Sequence, residues 1–221
     1  MRKLTGAVFS SLDGVMQAPG GPEEDQTGNF RLGGWSFHFW DETLEAPFGK
    51  IIGADYDLLL GKRTYDIFAG YWPSHHDNPI GATFERINKY VLTHADAPLE
   101  WANSHRLSGD TAEAVAEVKR SEGRDLLIQG SSTLYMPLLA AGLIDRLVVM
   151  TFPVILGGGK SIFDGPPTSG ALRLIDHAVS DKGVIFAIYE PAGGVPIGSF
   201  ADAETSAGQI EQGRRLTGAG E

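Results

Sequence analysis

The chain has 221 residues, 42% of them hydrophobic, with no cysteine and a formal net charge of −10. That composition is globular rather than disordered, and the lack of thiols excludes a disulfide framework, a thiolate nucleophile and a zinc–thiolate site. The acidic balance argues against a broad nucleic-acid-binding face, which needs clustered Lys and Arg, and no run approaches the roughly 18 apolar residues of a membrane helix.

Taken in chain order, residues 4–11 are β-rich and alternate weakly, which predicts a first strand ending at Ser10-Ser11. The apolar run inside it is interrupted and too short for a signal peptide, so the expected location is cytoplasmic. A long acidic loop rich in Gly and Pro follows from Asp13 to about Gly34. Leu44, Phe48, Ile51 and Ile52 fall at helical spacing and predict a helix over 41–54. Tyr56 to Leu60 is a continuous apolar-rich run suited to a buried parallel strand, and Gly61 opens a helix to about Phe68. Residues 89–93 read as a strand and 105–107 as a minor one. Asp110 caps a helix over 111–121, with Glu113 three residues on. A buried strand over 126–129 leads into a helix capped at Ser131 or Ser132 and ending near Ala141. A long strand is expected over 144–155, then strands over 172–180 and 183–190 joined tightly at Asp181-Lys182-Gly183. Alternating strands and helices that end in a hairpin predict an α/β domain: a mostly parallel mixed sheet, helices on both faces, and a C-terminal antiparallel hairpin. The domain is expected over 1–191, with 192–221 a tail outside the core.

Two junctions carry the chemistry. At Leu60-Gly61-Lys62-Arg63-Thr64, a buried strand runs through glycine into a helix whose first turn holds two cations and a hydroxyl. The first N–H groups of a helix lack partners and carry partial positive charge, so cations there call for an anion such as phosphate. The plain alternative is a tight turn with solvated cations. At Gln129-Gly130-Ser131-Ser132-Thr133 the same design recurs with hydroxyl residues; alone it is an ordinary N-cap. Two such junctions at the carboxyl edge of one parallel sheet suit a pyrophosphate bridging them. Neither matches GxGxxG or GxxxxGK[ST], so neither a standard Rossmann domain nor a P-loop is supported. The turn Gly157-Gly158-Gly159-Lys160 is weaker as a phosphate loop and better as a bulge near a ligand. Trp35, Phe37, Phe39, Trp40, Tyr71 and Trp72 could line a pocket for a flat heterocycle or fill core. His75 and His76 read as surface residues, and no metal-ligand spacing occurs, so no metal is expected.

The segments Ser10-Ser11-Leu12-Asp13-Gly14, Leu60 to Tyr65, Val91-Leu92-Thr93, Gly130 to Leu134 and Phe152 to Gly159 occur in this order. Together they resemble the C-terminal reductase domain of bifunctional riboflavin-biosynthesis deaminase-reductases and its stand-alone relatives, over residues 3–190. The resemblance implies a dihydrofolate-reductase-like three-layer sandwich, NADPH as cofactor, a small-molecule substrate and a homodimer. It implies that Gly61, Lys62, Arg63 and Thr64 hold the pyrophosphate and 2′-phosphate, with Gly130, Ser131, Ser132 and Thr133 closing from the other side. Thr93 and His94 would lie beside the adenosine, and Ala7, Val8 and the turn at Gly14 would flank the nicotinamide. His94 stands where related proteins often carry arginine or serine, and an exposed loop histidine is its plain alternative. By analogy with dihydrofolate reductase, Glu45 and Asp41, one helical turn apart, are candidate proton donors; Asp13 is a third. The expected activity is hydride transfer to a pterin- or pyrimidine-like heterocycle, with riboflavin-pathway reduction of a ribosylaminopyrimidine as one alternative. A nucleotide-binding sensor or scaffold without turnover is another. No zinc signature of the HxE…PCxxC kind is present, which excludes a bifunctional enzyme.

Overall fold

Apolar runs that alternate with amphipathic segments set the architecture. The computed structural model describes residues 1–53, 55–165 and 168–199, together with 208 and 212. Its strands are β1 (Leu4–Ser11), β2 (Tyr56–Gly61), β3 (Lys89–Leu92), β4 (Ser104–Leu107), β5 (Asp125–Gln129), β6 (Arg146–Phe152), β7 (Leu172–Val179) and β8 (Ile185–Pro191). They form one sheet in the order β4-β3-β2-β5-β1-β6-β8-β7. Pairs from β4 through β6 are parallel, and β8 runs antiparallel to both β6 and β7. The mixed sheet ending in a hairpin is thus as expected. The edge strand β7 leaves Leu172, Leu174, Ile175 and Val179 exposed.

The helices are α1 (Glu42–Ile52), α2 (Lys62–Tyr71), α3 (Pro79–Arg86), α4 (Thr111–Arg120) and α5 (Ser132–Ala140). Side chains alternate across a strand, so residue parity tells which helices cover which face. Leu4, Val8, Leu59, Leu126, Ile128 and Leu147 pack with Val115 and Val118 of α4 and Leu134 and Leu138 of α5. The opposite parity, Leu58, Leu60, Val91 and Leu127, packs with Tyr65 of α2 and Phe84 of α3. Val148 and Met150 on that same face meet Leu44 and Phe48 of α1. Helices α4 and α5 therefore form one outer layer, and α1, α2 and α3 the other. Tyr135 spans the interior, fully buried, and its hydroxyl donates to the Ala7 carbonyl at 3.2 Å.

Two expectations need correction. Helix α3 falls in a stretch to which the sequence assigned no element, just after the surface pair His75 and His76; Asn78 caps it, accepting from Ile80 N–H at 2.9 Å, and Pro79 takes its first position. The strand expected over 144–155 is only Arg146–Phe152, because Pro153 has no N–H to pair and the chain turns there, Val154 N–H donating to the Phe152 carbonyl. Strand β8 ends at Pro191, and Ala192 and Gly193 still pair with Ala171. Of the expected tail, 200–207, 209–211 and 213–221 lie outside the described residues.

The amino edge of the sheet is held by buried charges. Lys89 is 0% exposed; its Nζ donates to the Ala102 carbonyl at 2.8 Å and lies 4.3 Å from the Trp101 ring centroid. Burial pulls its pKa from the ordinary 10.5 down to about 8. Between those values unfolding takes up a proton, so the penalty of burying charged lysine is full below pH 8 and falls as pH rises. Urea unfolding from about pH 7 to about 9, a unit below the pKa of unfolded tyrosines, should show stability climbing above pH 8 in the wild type. Lys89→Met should lack the climb, and parallel profiles for the two proteins would reject this origin.

Candidate functional site

Strands β2 and β5 are neighbours, so their carboxyl ends set two helix starts side by side. The starts are stitched together: Gly61 N–H donates to Ser131 Oγ at 2.9 Å, and Ser131 N–H donates to Thr64 Oγ1 at 2.9 Å. Gly130 lies so close to Thr64 that a Cβ would meet Thr64 Cγ2 at 2.9 Å. Its φ of +68° is followed by Ser131 at φ 54°, ψ 55°, a left-handed conformation that costs a non-glycine residue about 1 kcal/mol or more. The caps differ from helix to helix, within each layer. Asp41, Asn78 and Asp110 cap α1, α3 and α4 with side-chain oxygens, whereas α2 and α5 begin without a side-chain cap. Their first amides remain open to an external acceptor.

Both starts face one cleft of about 1090 Å³. Ala7, Val8 and Phe9 of β1 and Val148 and Met150 of β6 line it, as do Phe48 and Ile51 of α1. Phe68, Tyr71 and Trp72 add an aromatic wall beside α2, and the segment from Met16 to Asp25 lines the cleft as well. Gln129, at the end of β5 and in register with Ala7, also lines the cleft, and its Oε1 is buried without a hydrogen-bond partner. Such an acceptor is costly to leave unmet and calls for a ligand donor.

The cations on the wall face carboxylates. Lys62 Nζ reaches both Asp66 oxygens, at 2.6 and 2.8 Å, and Arg63 Nη1 lies 3.7 Å from Asp25 Oδ1. Lys160 Nζ donates to Asp25 Oδ2. Burial works against ionisation of Asp25, yet hydrogen bonds from Lys160 and Thr27 outweigh it and hold the carboxyl below its ordinary range. Burial pushes the neighbouring Glu24 carboxyl up.

Of the expected cofactor-binding residues, Ala7, Val8, Gly61 to Thr64 and Gly130 to Thr133 line this cleft together. Gly14, Thr93 and His94 are not among its lining residues. Gly14 makes the turn after β1 at φ +85°, Thr93 turns its Oγ1 back to accept from Ala95 N–H at 3.1 Å, and His94 is exposed. None of the three proposed acids lines the cleft either. Asp41 caps α1 and accepts from Lys182 N–H at 3.1 Å, while Glu45 is exposed on the same helix. Asp13 accepts from Leu156 and Gly157 N–H at 3.1 and 2.7 Å, which accounts for the Gly157–Gly159 turn. The Ser11 hydroxyl, with these amides, draws the Asp13 pKa down to about 2. The aromatic set divides: Tyr71 and Trp72 line the cleft, Trp35, Phe39 and Trp40 pack around Phe152 and Phe9, and Phe37 is exposed. The acidic segment from Glu23 to Asp25 went unassigned in the sequence, where its one signal is its place in a long loop after the first strand.

Sheet order, helix layers and a cleft at the carboxyl edge define an α/β protein of the dihydrofolate-reductase architecture. The family model of the RibD C-terminal domain matches residues 2–186, and the chain belongs to that family. It is 22% identical over 136 residues to the uncharacterized protein YyaP of Bacillus subtilis (strain 168), covering 60% of this chain and 72% of YyaP. A putative riboflavin biosynthesis protein from Shewanella sp. PV-4 matches with a TM-score of 0.62 at 20% identity, over 87% of this chain and 99% of that one. Dihydrofolate reductase from Enterococcus faecalis, solved with NADP(H) and RAB-propyl, matches at 0.54 and 18% identity, over 86% and 96%. These likenesses to solved structures show a shared fold. Among the described residues no helix is long and apolar enough to cross a membrane, and no group of three or more His, Cys, Asp or Glu could hold a metal ion.

Proposed function

We propose that the protein is an NADPH-dependent reductase acting on a small pterin- or pyrimidine-like heterocycle. The observation that carries this reading is the pair of uncapped helix starts joined at Gly61 and Ser131 on one cleft. In this reading Gly61 to Thr64 and Gly130 to Thr133 hold the pyrophosphate through amides and hydroxyls, as helix N-termini hold phosphates, and the Lys62 and Arg63 side chains add the charge that holds the pyrophosphate and the 2′-phosphate. Gln129 Oε1 accepts an N–H from the bound ligand, which ends its isolation. NADPH, when bound, supplies the hydride. The apolar walls of Phe48, Ile51, Val148 and Met150 exclude water from the reacting face. Asp13 and Asp41 are poor proton donors, since hydrogen bonds hold both carboxyls below the ordinary range.

The test is thermal unfolding with each nicotinamide cofactor. At a hundredfold excess over Kd, a ligand specific for the folded state adds about 2.7 kcal/mol, and for a domain of this size that raises Tm by roughly 5–10 °C. NADPH should give this shift, NADH a smaller one, and Lys62→Ala/Arg63→Ala should abolish the NADPH shift. Equal or absent shifts would remove the cofactor and the reductase assignment with it. A second reading, a binding protein without turnover, draws on the absence of the three proposed acids from the cleft wall. Steady NADPH oxidation with a pterin or pyrimidine substrate would exclude it.

A further inference from the structure

The loop after β1 is tied down from several sides. Gln17, 5% exposed, donates its Nε2 to the Asp25 and Thr27 carbonyls at 3.0 and 2.9 Å and accepts from Lys160 N–H at 3.0 Å. Trp35 Nε1 donates to the Gln17 carbonyl at 2.8 Å, and Ser36 Oγ donates to the Pro19 carbonyl at 2.8 Å. This scaffold fixes Asp25, whose side chain is 8% exposed, where it accepts from Lys160 Nζ and, at 2.6 Å, from Thr27 Oγ1. On its other side lies Arg63, in the first turn of α2. The cations that the cleft offers to an anion are therefore already matched: Arg63 and Lys160 by Asp25, and Lys62 by Asp66.

We propose that Asp25 sets the affinity threshold of the cleft, an internal anion that competes with the phosphate groups of the ligand for Arg63 and Lys160. The inference rests on the cofactor reading above. A phosphate arriving at the start of α2 meets a fixed negative charge and must draw Arg63 away from it, so Asp25 weakens binding of phosphate-bearing ligands across the board. Ligands whose phosphates earn enough hydrogen bonds from both helix starts overcome the competition; a lone phosphate does not. A purely structural role, in which Asp25 only anchors Lys160 and the loop, predicts the opposite sign: removing its charge would loosen the wall and weaken binding.

The experiment is calorimetric titration of the full chain with NADPH, comparing wild type, Asp25→Asn and Glu23→Gln. Glu23 lines the same cleft without a described ion pair, so its variant controls for the bare loss of one negative charge. Lys160 is a third exposed, so neutralising its partner strands no buried charge; circular dichroism and the unfolding midpoint check that the variant folds, and Asp25→Ser serves as a second neutralisation. Asp25→Asn should bind roughly tenfold tighter, with Glu23→Gln changed less than about twofold. Wild-type binding with Asp25→Asn equal or weaker overturns the inference and leaves the cofactor reading intact, as does an equal gain in both variants. Binding by none of the proteins removes both.

Discussion

Gly130→Ala is expected to weaken NADPH binding by at least about tenfold, whereas Gly142→Ala leaves it unchanged. Both glycines are left-handed, at φ +68° and +64°, so each alanine bears the same kind of backbone strain, about 1–2 kcal/mol. They differ in what a Cβ meets. At Gly142 there is nothing within 4 Å; at Gly130 the Cβ would sit 2.9 Å from Thr64 Cγ2 and 3.3 Å from its Oγ1. Relief requires Thr64 to rotate or the turn after β5 to move away from α2, and either breaks the Ser131 N–H to Thr64 Oγ1 bond that joins the two helix starts. Tenfold corresponds to about 1.4 kcal/mol, small beside the contacts a diphosphate would lose. Calorimetric titration of the two variants beside wild type decides the matter. Equal affinity in both would show that the two turns do not act as one binding surface.

Asp57→Ala is expected to cost about 3–5 kcal/mol of folding stability, because it strands a buried guanidinium. Asp57 is 1% exposed at the amino end of β2 and accepts from Arg2 Nη2 at 2.6 Å, from Asn88 N–H at 3.1 Å and from Asn88 Nδ2 at 3.2 Å. Arg2, itself 4% exposed, also lies over the Tyr90 ring at 5.0 Å and has no route to solvent comparable with that of a surface arginine. The loss is a large share of the roughly 5–15 kcal/mol that holds a domain folded. Urea unfolding measures it directly. Removing both charges, as in Arg2→Met/Asp57→Leu, should recover most of the loss, since the penalty comes from the unpaired ion rather than from a missing attraction. A change below about 1 kcal/mol for Asp57→Ala would mean that water or rearrangement solvates Arg2.

How much of this was legible in the sequence depends on the range of the interaction involved. Strands β2 and β5 read clearly because continuous apolar runs end at glycine, and the two helix starts read clearly because glycine and hydroxyl residues follow at once. Both signals lie within a few residues. Helix α3 was missed although Asn78-Pro79 is a cap followed by a first-turn proline; the adjacent histidines and proline gave the segment the look of a loop. The pairing of Asp25 with Lys160 spans 135 residues, and no local pattern announces it, so Arg63 read as a free cation when a carboxylate lies beside it; the partner of Lys62, Asp66, is only four residues on, a local helical pair that the reading passed over. The same limit applies to Trp35, Phe39 and Trp40: their density was visible, but the facing of each ring was decided by Phe152 and Phe9, from other strands.

Withholding caps from α2 and α5 has a thermodynamic side. A side-chain cap contributes typically about 1 kcal/mol, and the other three helices have theirs. The empty fold thus sits below the stability its backbone could reach, by an amount located at one edge of the sheet. An anion seated there restores that share, and degradation that feeds on the transiently opened chain slows as the opened population shrinks. Turnover of the polypeptide would then follow the supply of any anion that the two starts hold.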